Sequence, residues 1–372
     1  MIFCVPKETL RHEHRVGLTP FGVSRLVNYG HEVYVEHDAG KDSHFADQDF
    51  ATAGASIVYS REEAFGRADV ICRVGQMTSE EIEHVKPGAT VMGFLHLAVT
   101  PRDALQKAME RGLTMIGYEV IEDADANHPV LRPMSEIAGH MVVHTAAHLL
   151  EYESGGRGLI LGNIPAIPPA TVVVIGAGTV GWTAARIALA TGAHVIVLDQ
   201  RVHRLRRALT HGCEQAVTAL ATPRNVGRFT AIADVVIGSV LVPGGRAPYL
   251  VTEDMVKRMK PGAVVIDLSI DQGGCVETSR PTTPDRPTFK VHGVTHFCVP
   301  NMTANAPRTA SRAMVIAALP YLELLASEGI AGALKRDPGF ACGTYLYQGS
   351  MVHEIAGQAL GLPTRRLSEL LG

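Results

Sequence analysis

The sequence predicts an α/β protein of two domains, each built on a mostly parallel sheet. Short β-branched runs alternate with helical patterns along most of the chain, and this alternation favours parallel pairing through helical crossovers. A glycine-rich turn joins one of the apolar runs to a helix. The chain has 372 residues, which is too long for one ordinary core and fits about two domains.

The first part of the chain contains predicted strands at residues 2–5, 32–36, 55–58, 70–74, 90–94 and 114–116. Thr19 precedes Pro20, which suits the first position of a helix, and Gly30 can end that helix. We expect a long helix to open at Ser135 and to run to about Glu151. An ordered connection rich in Gly and Pro follows it.

A second series of strands is predicted near residues 172–175, 194–198, 234–237, 263–268 and 295–299. Another long helix is expected from about Asn305 to Ala326. The remaining residues have a helical pattern, and they can pack back on the first domain and make it discontinuous.

The composition excludes several classes of partner. Charged residues make up 19% of the chain and the net charge is −3, so no strong field attracts nucleic acid or an anionic membrane. The N-terminus lacks the pattern of a signal peptide, and no apolar run approaches the ~20 residues of a membrane span. The six cysteines have neither zinc nor disulfide spacing. We therefore expect a cytoplasmic protein with buried, reduced thiols and no metal.

The turn from Gly176 to Gly181 reads Gly-Ala-Gly-Thr-Val-Gly and has the context of a dinucleotide site. An apolar strand leads into it, a helix follows it, and a later strand ends at Asp199. Gly176 permits the tight turn, Gly178 lets the backbone approach a pyrophosphate, and Gly181 lets the helix pack closely on the strand. The helix N-terminus offers free N–H groups to the phosphates. The turn therefore predicts a Rossmann-like domain.

Asp199 indicates which dinucleotide is bound. Its carboxylate can accept hydrogen bonds from both adenosine ribose hydroxyls, and its charge would repel a 2′-phosphate. Arg201 and Arg204 lie just beyond it and weaken this preference slightly. We therefore expect NAD as the cofactor of an oxidoreductase.

Longer motifs are spread over essentially the whole chain. They are Pro6-Lys7-Glu8-Thr9 with Arg15-Val16, Phe94-Leu95-His96-Leu97, Pro133 to Gly139, the turn at Gly176, Gly238 to Gly244, Asp271 to Cys275, Ser279 to Thr283, and Asn301-Met302. Together these motifs resemble the alanine dehydrogenase family, which includes the NAD-binding subunit of proton-translocating transhydrogenase. The resemblance implies two Rossmann-like domains, with an NAD-binding domain of residues 135–304 inserted into a substrate domain of residues 1–134 and 305–372. It also implies a homo-oligomer, either a hexamer or a dimer.

The resemblance further implies roles for individual residues. Arg15 would hold the substrate carboxylate with its planar guanidinium, and His96 would act in acid–base chemistry or contact the reacting centre. Asp271 would order water and stabilise cationic intermediates, with Asn301 near the substrate. The cofactor would be contacted by Ser135, Gly176, Gly178, Thr179, Val180, Gly181, Asp199, Ser239, Val240, Leu268 and Met302.

One segment departs from the family pattern. Family members usually carry Lys-Val-Lys-Glu-Pro at residues 73–77, and here Gly75 replaces the second lysine, the one expected to contact the substrate oxygen. Loss of such a positioned electrophile usually costs orders of magnitude in rate. Three interpretations follow. In the first, Arg73 lies on the same face of the strand and supplies the cation. In the second, Gly75 opens the pocket to a larger or different substrate. In the third, catalysis is lost and bound NAD has a sensing or structural role.

The sequence therefore predicts an NAD-dependent amino-acid dehydrogenase that reversibly converts a small L-2-amino acid into a 2-oxo acid and ammonia. One alternative is an imine reductase that joins an amine to an oxo acid, as opine- or saccharopine-type dehydrogenases do. Another is a catalytically impaired NAD-binding pseudoenzyme. A transhydrogenase role is disfavoured, because no membrane partner segment is present and that subunit binds no amino acid.

Overall fold

The computed structural model describes residues 1–240 and 247–372, which divide into two compact units. Unit 1 comprises Met1–Met134 and Ala304–Gly372, and unit 2 comprises Ser135–Thr303. Each unit contains one mainly parallel sheet whose strands alternate with helices, so the predicted α/β class is confirmed. Residues 241–244 of the predicted motif at Gly238 lie outside the described residues.

Strands and helices alternate through both units, and each kind is numbered in chain order. The strands are β1 (Ile2–Val5), β2 (Glu32–Glu36), β3 (Ser56–Val58), β4 (Val70–Cys72), β5 (Thr90–Gly93), β6 (Thr114–Gly117), β7 (Thr171–Ile175), β8 (His194–Asp199), β9 (Val217–Leu220), β10 (Val235–Gly238), β11 (Val264–Asp267), β12 (Thr288–Val291), β13 (Val294–Phe297), β14 (Thr344–Tyr347) and β15 (Ser350–Met351). The α-helices are α1 (Pro20–Asn28), α2 (Asp47–Thr52), α3 (Arg61–Arg67), α4 (Ser79–His84), α5 (Arg102–Glu110), α6 (Leu131–Leu150), α7 (Thr179–Ala190), α8 (Val202–Leu209), α9 (Pro223–Ile232), α10 (Glu253–Lys257), α11 (Pro307–Arg336), α12 (Pro338–Cys342), α13 (Glu354–Leu360) and α14 (Leu367–Leu371). Short 3₁₀ turns span Lys41–Ser43, Leu97–Val99, Leu268–Gln272 and Met302–Asn305.

The strand order places a switch point in each sheet. Unit 1 has the order β15-β14-β6-β5-β4-β1-β2-β3, and unit 2 has the order β12-β13-β11-β10-β7-β8-β9. The direction of chain progression reverses between β1 and β4 in unit 1 and between β7 and β10 in unit 2. In open α/β sheets ligands bind outside the carboxyl ends of the strands at such points. The residues that follow these four strands are therefore placed to bind ligands.

The predicted helical character of the last residues is wrong in part. Strand β14 pairs antiparallel with β6 and with β15, so it extends the sheet of unit 1. Gln348 and Gly349, which join β14 to β15, both have positive φ, as a two-residue hairpin turn requires. The run Thr344–Tyr347 is too short to show its period, and only its partner strands define it as a strand.

Other boundaries also differ from the expectations. Helix α6 begins at Leu131, because Pro133 lies in its first turn, where a missing N–H is tolerated. Strands β9 and β12 were not predicted, since both are partly exposed edge strands without a continuous apolar run. All six cysteines are free thiols, and Cys342 is exposed where a buried thiol was expected.

Helix α11 begins close to the predicted position and extends to Arg336, beyond its predicted end. By length and composition it is apolar enough to cross a membrane. However, it is interrupted at Gly329, whose φ of 70° is not helical, and Ser311 accepts a hydrogen bond from the backbone N of Val16 at 3.0 Å. Its buried side chains include Met314, Val315, Leu322 and Leu325. These are the features of a helix that packs in the core of a folded unit.

Candidate active site

The glycine turn of unit 2 lies at the switch point between β7 and β10. Gly176 has a φ of 102°, and a Cβ on it would lie 2.5 Å from the carbonyl oxygen of Ser239. A Cβ on Gly181 would lie 1.8 Å from the carbonyl oxygen of Gly176. Both glycines are therefore required by the packing of the turn on its own neighbours.

Gly178 differs from the other two glycines of the turn. No described atom lies within 4 Å of the position that its Cβ would take, and Gly178 is the N-cap of α7. The first N–H groups of an α-helix lack partners within the helix and attract anions. The turn thus offers an open approach and free donors, which fits the pyrophosphate of NAD. Thr179 and Val180 form the first turn of α7 and are half-buried.

Asp199 ends β8 and is only 6% exposed. Its Oδ2 accepts a hydrogen bond from the backbone N of Ala177 at 2.8 Å, and its Oδ1 accepts one from the backbone N of Arg201 at 2.8 Å. Arg204 Nη1 lies 4.0 Å from Oδ2. Asp199 therefore connects the carboxyl end of β8 to the glycine turn, with one arginine nearby.

The loops after β7, β10 and β11 are bonded to one another. Ser239, which follows β10, donates through Oγ to the carbonyl oxygen of Gly176 at 3.0 Å. The backbone N of Val240 donates to Ser269 Oγ at 2.9 Å, next to Leu268 in the loop after β11. The structure therefore brings Ser239, Val240 and Leu268 to the edge of the sheet that carries the glycine turn.

Helix α6 packs against the same edge of unit 2. A Cβ on Gly139 would lie 2.6 Å from Thr183 Cβ and 2.9 Å from the carbonyl oxygen of Val180. This close approach sets α6 against the first turns of α7. Ser135 lies one turn before Gly139 on α6 and is half-buried.

Asp271 and Asn301 are brought together in unit 2. Asp271 lies in the 3₁₀ turn after β11, and its Oδ1 accepts a hydrogen bond from the backbone N of Asn301 at 3.2 Å. Asn301 has a φ of 51°, in the left-handed region. Met302 is 5% exposed and belongs to the apolar core of unit 2. Asp271 and Asn301 are therefore neighbours, and Met302, which follows Asn301 in sequence, packs in the core.

Asp267 was missed by the sequence prediction. It is the last residue of β11, is 1% exposed, and accepts hydrogen bonds from the backbone N atoms of Ser269, Cys275 and Val276 at 3.0, 2.9 and 3.1 Å. Burial raises the pKa of this carboxyl group. Asp267 closes the loop that carries Asp271. The available signal was an acidic residue at the end of an otherwise apolar strand.

Arg15 in unit 1 is held by a neighbouring carboxylate. Its Nε donates to Glu13 Oε1 at 2.7 Å and its Nη2 donates to Glu13 Oε2 at 2.6 Å. Nη1 lies 3.6 Å from Met134 Sδ. Both side chains of the ion pair are buried, so Glu13, which was not predicted, fixes the plane of the guanidinium.

His96 follows β5 and has an unusual backbone conformation, with φ 43° and ψ 49°. Its backbone N donates to Glu119 Oε1 at 2.6 Å, and its Nδ1 lies 3.8 Å from the same oxygen. Tyr345 also donates to that oxygen, at 2.8 Å, and burial keeps the pKa of its hydroxyl above the ordinary value. The imidazole itself is 54% exposed. Glu119 therefore anchors an accessible histidine, and the sequence did not single it out.

Arg73 is fully buried between two carboxylates. Its Nη2 donates to Glu8 Oε2 and its Nη1 to Glu81 Oε2, both at 3.0 Å. Burial by itself would raise the pKa of Glu81, but the charge of Arg73 together with hydrogen bonds from Thr78, Thr9 and Arg73 holds that pKa below its ordinary value. Both terminal nitrogens of Arg73 thus bind carboxylates of unit 1.

The space beside Gly75 is occupied by a neighbour. A Cβ on Gly75 would lie 2.9 Å from Leu10 Cδ1 and 3.8 Å from Glu8 Oε2. Gln76 Nε2 donates to the carbonyl oxygen of His96 at 3.4 Å. The segment after β4 therefore lies beside both Leu10 and His96, at the switch point of unit 1.

These features define the class: a dinucleotide-binding α/β protein with polar groups at the carboxyl edges of both sheets. Two family models match the chain, Alanine dehydrogenase/PNT, N-terminal domain, over residues 4–138, and Alanine dehydrogenase/PNT, C-terminal domain, over residues 142–354. An alanine dehydrogenase of Mycobacterium tuberculosis is 41% identical over 359 residues, which is 96% of each chain. The chain belongs to the alanine dehydrogenase/PNT family.

Two solved structures are similar over nearly the whole chain. An L-alanine dehydrogenase matches with a TM-score of 0.92 and 39% identity, covering 97% of this chain and 99% of that one. A transhydrogenase from Sinorhizobium meliloti matches with a TM-score of 0.79 and 27% identity, covering 95% and 99%.

We predict that Gly178→Ala weakens NADH binding about tenfold or more, equal to about 1.4 kcal/mol, because the new methyl group fills the approach of the pyrophosphate. The free energy of unfolding should stay near the wild-type value, since nothing described lies within 4 Å of the added atom. Calorimetric titration with NADH and urea unfolding measure the two effects. Gly66→Ala, at a second unobstructed glycine, is the matched control. Unchanged NADH affinity in a folded Gly178→Ala protein would contradict the assignment.

We predict that Arg73→Leu lowers the free energy of unfolding by about 3–5 kcal/mol near pH 7, because it leaves Glu8 and Glu81 buried without a cation. In the wild-type protein the pKa of Glu81 is lowered, so Glu81 stabilises the fold at pH values above its ordinary pKa of 4.5. This contribution is lost as the pH falls through the lowered pKa. The deficit of the variant should therefore shrink in acid. Arg67→Leu, which breaks an exposed pair, should cost under about 0.5 kcal/mol. Wild-type stability of Arg73→Leu in urea unfolding would refute the structural role.

Proposed function

We propose that the protein is an NAD-dependent amino-acid dehydrogenase that reversibly converts a small L-2-amino acid, first of all alanine, into a 2-oxo acid and ammonia. The observation that carries the proposal is its similarity to alanine dehydrogenases over 96% of the chain at 41% identity. NAD accepts the hydride at its nicotinamide ring when it is bound. Residues 135–304 form the NAD-binding domain, and residues 1–134 with 305–372 form the substrate domain. The protein acts in the cytoplasm.

In this proposal Arg15 binds the substrate carboxylate. Glu13 binds the Nε–Nη2 edge of the guanidinium and thereby fixes its orientation for the carboxylate. A planar, permanently charged donor suits this task, and the buried ion pair reduces the rotamer freedom that binding would otherwise cost. The ion pair also limits the net charge that a bound carboxylate encounters.

His96 transfers the proton at the reacting centre. Glu119 Oε1 lies 3.8 Å from Nδ1, on one side of the ring, and Nε2 faces the substrate in this proposal. The hydrogen bond from the backbone N of His96 to Glu119 stabilises the left-handed conformation that directs the ring. Tyr345 orients the same carboxylate and remains protonated.

The remaining assignments belong to unit 2. Asp271 orders the water that the oxidative direction consumes and stabilises positive charge on the substrate nitrogen. Asn301, whose backbone N is bonded to Asp271, lies on the substrate side. The nicotinamide end of NAD is contacted by Ser135, Ser239, Val240, Leu268 and Met302. The phosphates are held by the glycine turn with Thr179 and Val180.

The replacement of the family lysine by Gly75 changes the pocket wall instead of transferring the charge to Arg73. Both terminal nitrogens of Arg73 are bound to Glu8 and Glu81, which argues against its contact with a substrate. Leu10 Cδ1 lies where a side chain at Gly75 would begin. We propose that an apolar group thereby replaces a cation and that turnover of pyruvate with ammonium is slow.

The assay that tests the function follows NADH oxidation by its absorbance with a panel of 2-oxo acids, each with ammonium or with a primary amine. We expect slow turnover of pyruvate with ammonium. Turnover only with an amine would favour the imine reductase instead. Tight NADH binding with no turnover across the panel would favour the pseudoenzyme. His96→Asn, which should bind NADH normally and lose turnover, separates catalysis from cofactor binding.

Restoring the lysine tests the account of Gly75. Gly75→Lys alone places its Cβ 2.9 Å from Leu10 Cδ1, so we predict a full effect only with Leu10→Ala in the same chain. The double variant should raise kcat/KM for pyruvate with ammonium by about tenfold or more, because a positioned cation stabilises the developing charge on oxygen. Leu10→Ala alone is the control. If the double variant folds and binds NADH but gains nothing, the missing lysine does not limit the rate.

We also propose that the protein is a homo-oligomer. Exposed apolar side chains on the Gly- and Pro-rich connection of unit 2 support this, since Ile160, Ile164 and Ile167 are 65%, 44% and 61% exposed. Light scattering should give a dimer or a hexamer of the 39.8 kDa chain, and a monomer would refute the proposal.

A further inference from the structure

Helix α6 carries a row of histidines on its surface. His140, His144 and His148 follow one another at intervals of four residues, and all three are exposed. The opposite side of the same helix is buried in the core of unit 2 through Val142, Val143, Ala146 and Leu149. The histidines therefore project from a helix that the core holds in place.

Histidines four residues apart on a helix are neighbours, with about 5–6 Å between their Cβ atoms. This spacing lets two imidazoles bind one metal ion, as in helical zinc motifs with His at i and i+4. Imidazole favours the borderline divalent ions zinc, copper and nickel over magnesium or calcium. The row on α6 contains two such pairs, which share His144.

The two pairs differ in the availability of their nitrogens. His148 Nδ1 lies 3.3 Å from Glu151 Oε2, and its Nε2 lies 3.3 Å from Ser154 Oγ. The rings of His140 and His144 have no hydrogen-bond or ionic partner within residues 1–240 and 247–372. Their lone pairs are therefore available to a ligand without the loss of an existing contact.

We propose that His140 and His144 form a binding site for one divalent transition-metal ion, with zinc as the probe. The shared residue His144 limits the row to a single ion. His140 and His148 are eight residues apart, about 12 Å along the helix axis. Bonds of about 2.1 Å to each nitrogen cannot span that distance, so both cannot bind the same ion. Water completes the coordination, and His144 with His148 provides a weaker second arrangement.

A second group of possible metal ligands lies elsewhere on the chain. His37, Asp38 and Asp47 in unit 1 have ligand atoms within 4.8 Å of one another. However, His37 Nδ1 is already bonded to Asp47, and Lys41 Nζ binds Asp38 Oδ2 at 3.1 Å. A metal ion there would have to displace a lysine and break a hydrogen bond. We therefore use His37→Gln as the control for zinc bound elsewhere on the chain.

The test is calorimetric titration of metal-free protein with zinc chloride. We expect one ion per chain, and His144→Gln should weaken its binding about tenfold or more because both pairs lose a nitrogen. His140→Gln should weaken binding to a smaller extent, and His148→Gln and His37→Gln should leave it within about twofold. NADH affinity should be unchanged in all four variants, which shows that each is folded. Wild-type zinc affinity in His144→Gln, or no zinc binding by the wild-type protein, would overturn the proposal.

Discussion

The buried charge of Arg73 constrains the carboxyl edge of unit 1. A guanidinium without exposure to water must be paired, and here Glu8 and Glu81 supply one carboxylate each. Glu8 follows β1, Arg73 follows β4, and Glu81 lies in α4, so three segments are held around one cation. Arg61 joins Glu81 to Glu36 and extends the network to β2.

This network binds both terminal nitrogens of Arg73 to carboxylates of unit 1. The sequence predicted Arg73 and Gly75 on one face of a strand, which favoured Arg73 as a substitute, but both residues follow β4. The fold instead uses its charge to balance two acidic groups. The position opposite Gly75 is taken by Leu10, from a loop that also contains Glu13. The segment after β1 thus contacts the segment after β4 at Gly75.

In unit 2 the corresponding constraint is steric. Gly176 and Gly181 have no room for a side chain, because the turn closes on its own backbone and on Ser239. Gly178 lies in the same turn with open space beside it. One sequence pattern therefore contains two glycines that packing requires and one that packing does not require. Asp199 then connects this turn to β8 through the backbone N of Ala177.

Features that neighbouring residues determine were predicted from the sequence, and features that join residues far apart in the chain were not. The unit β7, glycine turn, α7 and β8 was predicted with small boundary errors, because its strand, turn and helix signals are local. Glu119 and Tyr345 were not found, since the bond that joins them spans 226 residues. Asp267 was also missed, because its partners are backbone amides, which leave no pattern in side chains.

The sequence alone determined the α/β class and the glycine turn, because periodicity and glycine spacing are properties of short segments. Only the tertiary structure decided which charges are already neutralised. Arg73 and Arg15 are the same residue type in the sequence. In the structure the guanidinium of Arg73 binds two carboxylates, and that of Arg15 is held along one edge by Glu13. The energy of a charge depends on its burial and its neighbours, and folding brings those neighbours from distant parts of the chain.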